Sequence, residues 1–189
     1  MTTADVVVLL FGDRRMPRPL RGLTAGAIDD ITSYRRVIVV GSDADLASVL
    51  KRLLRADRLD IEVGYAPRWW TARRARTGQA RRVPLIRDET GTVIVGSAEW
   101  TGSPLRGEAV VDDTVLFDGA VPAVRIEPTA TLPGLRAAVT GRGRRRWVAG
   151  RAAQLGTPEA MVVRDGVAAP RPVRRSTFYR HTEGWLRVG

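Results

Sequence analysis

The stretch Val37-Ile38-Val39-Val40-Gly41-Ser42-Asp43 narrows the folds open to this 189-residue chain more than any other. Four β-branched residues in an unbroken run predict a strand buried on both faces, as in a parallel sheet. Gly41 then breaks the run. Ser42 or Asp43 can cap a helix by accepting a hydrogen bond from a first-turn N–H group, and Leu46, Val49, Leu50, Leu53 and Leu54 recur behind them at helical spacing. The reading is strand, tight turn, amphipathic helix. A turn of this kind at the carboxyl end of a strand is where open α/β sheets bind phosphates and nucleotides, so Gly41, Ser42, Asp43 and Asp45 form the first candidate site. Asp43 can there hold a nucleotide sugar, hold a magnesium-bound water, or only cap the helix.

The flanking segments extend this pattern. Val6 to Phe11 predicts a buried first strand ended by Gly12, and Asp13 to Gly22, with four arginines and two prolines, predicts a loop at the carboxyl edge of the same sheet. Thr24 to Ile31 is expected to form a short helix and Asp60 to Tyr65 a third strand ending at Pro67. Alternating strands and helices imply an α/β N-terminal domain with a right-handed parallel sheet. After Val83 the pattern changes to short β-rich runs at 92–96, 107–113, 114–117 and 121–128, separated by Gly, Pro and Asp turns, which reads as an antiparallel meander. Runs at 147–155, 160–164, 167–173, 177–179 and 185–188 continue the β theme, and Asp165-Gly166 is a hairpin turn signal. The domains are expected at 1–88 and 89–189.

Charge limits the partners. The formal net charge is +11, which suits nucleic acid, an anionic lipid surface or a phosphorylated substrate. Lys51 stands alone among 30 arginines. That preference, with so much Ala, Gly and Val, also fits a GC-rich genome, but it does not account for the excess over acids. Cysteine is absent and His181 is the only histidine, so thiolate metal sites are excluded and histidine clusters are not available. No His-Glu-x-x-His segment occurs. No apolar segment reaches the roughly 20 residues needed to span a bilayer, and a cytoplasmic protein, or one peripheral to the membrane, is expected.

Arg68 to Arg82 interleaves Trp69 and Trp70 with arginine. Such a stretch suits base stacking with phosphate pairing, and equally an interfacial membrane contact; packing of one Trp on the sheet with solvated arginines is the plain structural alternative. Arg14, Arg15, Arg68, Trp69, Trp70, Arg73 and Arg74 are the candidate anion or lipid contacts. Arg142 to Arg146 forms a further basic turn.

In this order the chain resembles the diacylglycerol kinase and lipid kinase family, which shares its nucleotide fold with NAD kinases. That family joins a strand to a helix through Gly-Gly-Asp-Gly-Thr in an α/β first domain and follows it with a β-sandwich. Gly41-Ser42-Asp43-Ala44-Asp45 stands at the matching place. Ser42 and Ala44 replace two glycines, and Asp45 replaces the threonine, putting negative charge where a polyphosphate would come closest. The family's second glycine-rich turn should fall at 66–72, where this chain reads Ala-Pro-Arg-Trp-Trp-Thr-Ala. Asp112-Asp113 resembles the family's paired aspartates, and Val163-Arg164-Asp165-Gly166 its late Val-x-Asp-Gly turn, with Arg151 to Leu155 as the strand before it.

The resemblance implies an α/β N-terminal domain with a parallel sheet plus an all-β, β-sandwich-like C-terminal domain. It implies a degenerate lipid kinase that binds a phosphorylated small molecule or an anionic lipid surface and need not be catalytic. If ATP- and magnesium-dependent phosphorylation of a lipid hydroxyl is retained, Asp43 would orient nucleotide and metal, and Asp112 or Asp113 would act on the hydroxyl. Adjacent strand residues point to opposite faces, so Asp112 and Asp113 can serve one site only from a turn, and turn chemistry alone also explains them. The alternative is a basic RNA- or DNA-binding module built on the Trp and Arg loop. Assembly of identical copies is compatible with either reading.

Overall fold

The computed structural model describes residues 4–141 and 145–189, which form two compact units, one of residues 4–83 with Glu183–Gly189 and one of the described residues within Pro84–Thr182. The first unit opens with β1 (Ala4–Leu10), β2 (Thr24–Ala25), β3 (Tyr34–Val40), α1 (Asp43–Arg55), β4 (Glu62–Tyr65), α2 (Ala72–Thr77) and β5 (Ala80–Val83). The apolar run behaves as its composition demands: Val37, Ile38 and Val39 are fully buried, and β3 pairs in parallel with both β1 and β4. Helix α1 buries Leu46, Ala47, Val49, Leu50 and Leu53. Burial of each of its larger apolar side chains contributes about 1.5–3 kcal/mol, enough to fix a helix whose other face is charged.

The segment expected to be helical at Thr24 to Ile31 is not an α-helix. Thr24–Ala25 adds a short parallel strand to β1, and a 3-10 turn over Ile28–Ser33 follows. No apolar stripe holds a helix there, since only Ile31 of that turn is buried. The Gly26 N–H instead donates to the Val8 carbonyl at 3.1 Å and carries the chain along β1.

The second unit contains β6 (Ile86–Asp88), β7 (Val93–Ile94), β8 (Ala98–Val111), β9 (Thr114–Pro128), β10 (Leu135–Thr140), β11 (Val148–Gly150), β12 (Ala152–Arg164), β13 (Val167–Ala168) and β14 (Val173–Arg180). They make one antiparallel sheet in the order β11-β10-β9-β8-β12-β14-β6-β7, with β13 on β12. Its core gathers Trp100, Phe178, Leu105, Val162, Ile126 and Leu135, and the Trp100 indole N–H donates to the Ser176 hydroxyl at 3.0 Å. Several short runs foreseen from the sequence are parts of long strands. Register shifts between Thr101 and Leu105 and between Gly156 and Met161 let β8 and β12 run through their Gly and Pro interruptions. Gly107 is needed within β8: its φ is 133°, and a Cβ there would lie 2.1 Å from the Gly156 carbonyl oxygen.

The final strand, β15 (Trp185–Val188), leaves the second sheet and joins the first. It pairs in parallel with β4 and antiparallel with β5, completing the order β2-β1-β3-β4-β15-β5. Among the described residues no helix is long and apolar enough to cross a membrane.

Candidate functional site

At the carboxyl end of β3, Ser42 is the N-cap of α1, extended at φ −87° and ψ 175°. Its hydroxyl accepts from the Asp45 N–H at 3.3 Å, while Asp45 Oδ2 accepts from both the Ser42 N–H and the Ser42 hydroxyl at 2.7 Å. This is a capping box with aspartate in the place of the usual glutamate. Gly41 belongs to the same closure. A Cβ on it would lie 2.7 Å from Asp45 Oδ2 and 2.8 Å from Asp45 Cβ, so the glycine makes room for the carboxylate that folds back over the turn. Gly41, Ser42 and Asp45 are thus engaged with one another, and an anion already sits at the positive end of α1.

Asp43 has a different partner. Its Oδ1 accepts a hydrogen bond of 2.7 Å from the hydroxyl of Tyr65, the last residue of β4. The side chain is half-buried and held at the carboxyl edges of two neighbouring parallel strands. Tyr65 was not a sequence candidate, because only the β3–β4 pairing brings a residue 22 positions away to Asp43.

The same edge collects the basic candidates. Arg14 Nη1 donates to the Pro67 carbonyl at 2.7 Å, tying the first arginine loop to the segment after β4. Arg76 Nη1 donates to the Pro19 carbonyl at 2.7 Å and ties α2 to that loop a second time. Between these anchors Trp69 and Trp70 stand out at 73% and 59% exposure, on a 3-10 turn over Trp69–Thr71, so neither packs on the sheet. Their rings meet edge to face at 5.7 Å, and the Arg68 guanidinium lies over the Trp70 ring at 5.5 Å. Helix α2 buries Ala72 and Ala75, leaving Arg73 and Arg74 exposed, and Arg15 is exposed as well.

Asp112 and Asp113 belong to the second unit, where they are the two-residue turn between β8 and β9, with Val111 opposite Thr114. Asp112 has φ 49°, and its carboxylate accepts from the backbone N–H groups of Arg151, at 2.9 Å, and of Ala152, also at 2.9 Å. Turn formation and the bridge to β12 occupy Asp112; Asp113 is exposed beside it. Asp165-Gly166 forms the expected hairpin turn, with φ 48° and 83°, and the Asp165 carboxylate also accepts from the N–H groups of Val95, Gly96 and Ser97 at 2.8–2.9 Å. In the basic turn at 142–146, residues 142–144 lie outside the described residues.

A polyphosphate with its magnesium does not fit the α1 turn as these residues form it. The Ser42 and Asp45 N–H groups are already bonded, and the Asp45 carboxylate opposes a second anion. Among the described residues no group of three or more His, Asp or Glu side chains could hold a metal ion.

No family model and no curated protein matches the sequence. Solved structures do. The chain is similar to a diacylglycerol kinase from Bacillus anthracis str. Sterne, with TM-score 0.72 and 10% identity over 97% of this chain and 96% of that one. It is similar to an NAD kinase from Archaeoglobus fulgidus solved in complex with ATP, with TM-score 0.65 and 11% identity over 98% and 93% of the two chains. A yeast NADH kinase complexed with NADH matches at TM-score 0.56 and 8% identity, over 98% and 83%. The chain therefore has the fold common to diacylglycerol kinases and NAD kinases, with an α/β first half and a β-rich second half.

Proposed function

We propose that the chain is a lipid-kinase-fold protein that binds a phosphorylated ligand or an anionic lipid and transfers no phosphate through the α1 turn. The observation supporting this reading is the placement of Asp45 Oδ2 at 2.7 Å from the Ser42 N–H and hydroxyl. A carboxylate on those donors does for the helix terminus what a bound phosphate would do in a nucleotide site. The arginines of the loops after β1 and β4 remain to attract a phosphorylated ligand, and Asp43, oriented by Tyr65, remains to accept a hydroxyl from it.

The rival reading carries over the ATP of the Archaeoglobus fulgidus structure and gives Asp43 the nucleotide and magnesium. Thermal midpoints separate the two, because a ligand that binds only the folded chain raises the midpoint by mass action. Millimolar magnesium ATP is expected to leave it unchanged, and monomeric short-chain phosphatidic acid to raise it. A rise with magnesium ATP that disappears in Asp43→Asn would establish a working kinase site and overturn the proposal.

A further inference from the structure

Trp69 and Trp70 are the largest exposed apolar groups of the first unit. An indole left in water forgoes a large burial, so a pair of them side by side on one short turn marks a contact surface. Along the two segments that meet beside them the charge is of one sign, although Asp43 stands at the same edge on Tyr65. No acidic residue occurs at 14–28 or at 63–87, and these two segments, pinned together by Arg14 on Pro67 and Arg76 on Pro19, carry Arg14, Arg15, Arg18 and Arg21 with Arg68, Arg73, Arg74 and Arg76.

The ring geometry distinguishes between anionic partners. A single-stranded nucleic acid needs aromatic faces on which successive bases stack, set along a groove. Here the two rings stand at 88° to each other, and the Arg68 guanidinium lies over Trp70. They offer no pair of parallel platforms. A bilayer interface makes no such demand: indoles enter at headgroup depth in any orientation while flanking arginines pair with phosphates. We propose that the Trp69-Trp70 turn, with Arg68, Arg73 and Arg74, is a docking surface for an anionic phospholipid bilayer. This rests on the anionic-ligand reading above and names the bilayer as its source.

The test is co-sedimentation of the purified chain with phosphatidylcholine vesicles, with and without phosphatidylglycerol. The wild type is expected to sediment only with the anionic vesicles. Trp69→Ala with Trp70→Ala should lower the partition coefficient about tenfold, as the apolar area entering the interface is removed. Arg73→Ala and Arg74→Ala should each lower it about fivefold, with a loss that shrinks at high salt. Lipids brominated near the headgroup should quench tryptophan emission more strongly in the wild type than in the double Trp variant, which keeps the buried Trp100 and Trp185 and the half-buried Trp147. That quenching on the wild type stands even if a variant folds poorly. Binding of anionic vesicles that is indifferent to the Trp and Arg changes would overturn this surface while leaving the ligand reading intact. Failure to bind anionic vesicles, or preference for single-stranded RNA over them, would also overturn it. Loss of the midpoint rise with short-chain phosphatidic acid would instead remove the reading on which it rests.

Discussion

Neutralising Asp45 while keeping its shape isolates the effect of its charge. Asp45→Asn leaves an oxygen to accept from the Ser42 N–H, so the turn should persist and the helix should lose only the attraction between a carboxylate and its own N-terminus, about 0.3–1 kcal/mol. The effect on a phosphate ligand is larger. Two unit charges 4 Å apart repel by about 1 kcal/mol in water and about 4 kcal/mol at the effective dielectric of a protein surface. For a half-buried carboxylate an intermediate value of about 2 kcal/mol is reasonable, roughly a thirtyfold change in Kd. Calorimetric titration with pyrophosphate and with magnesium ATP should therefore show, beyond any binding to the arginine loops, a weak, salt-sensitive site in Asp45→Asn that the wild type lacks. Equal affinity in the two proteins, whether tight or immeasurable, would refute the idea that Asp45 is what keeps phosphate from α1.

In the second unit, Asp165→Ala strands three backbone N–H groups, of Val95, Gly96 and Ser97, and should cost about 3–5 kcal/mol in urea unfolding; Asp165→Asn should cost less, and a loss under about 1 kcal/mol for the alanine variant would contradict the assignment. Burial alone would push the Glu127 carboxyl up, but hydrogen bonds from Arg125 and Arg136 outweigh it and hold its pKa below the ordinary 4.5. A depressed folded-state pKa contributes stability that is present above the ordinary value and lost as the pH falls through the folded one. Glu127→Gln should accordingly flatten the acid limb of a urea-midpoint profile below about pH 4.5, and an unchanged limb would show that other carboxylates carry it.

What could be read from the sequence was local. The Val37 to Val40 run, the Ser42 cap and the stripe from Leu46 to Leu53 declared strand, turn and helix, because each depends on neighbours within a few residues. The role of Asp45 was within reach too: a serine followed three residues later by an acid is a capping-box pattern, shortened here by one methylene. Tyr65 against Asp43 and Asp165 against Val95 to Ser97 were not legible, since these partners meet only through strand pairing. Thr24 to Ile31 carries turn residues that suit a helix start, yet an edge pairing with β1 decides its conformation. The Gly and Pro positions at 102, 104 and 107 read as strand ends, yet bulges and one close approach to Gly156 absorb them inside β8.

The position of β15 has a consequence for the order in which the chain can fold during synthesis. The strand lies between β4 and β5, so the sheet that holds the α1 turn needs residues made about a hundred positions after β5. Until Trp185 to Val188 leave the ribosome, β4 and β5 each present an unpaired edge, and the second unit has every one of its own strands already available. Long-range pairings of this kind slow folding and leave strand edges exposed meanwhile. The β-rich unit is then free to form first, and the sheet bearing the arginines and tryptophans closes later, on a strand made after every strand of that unit.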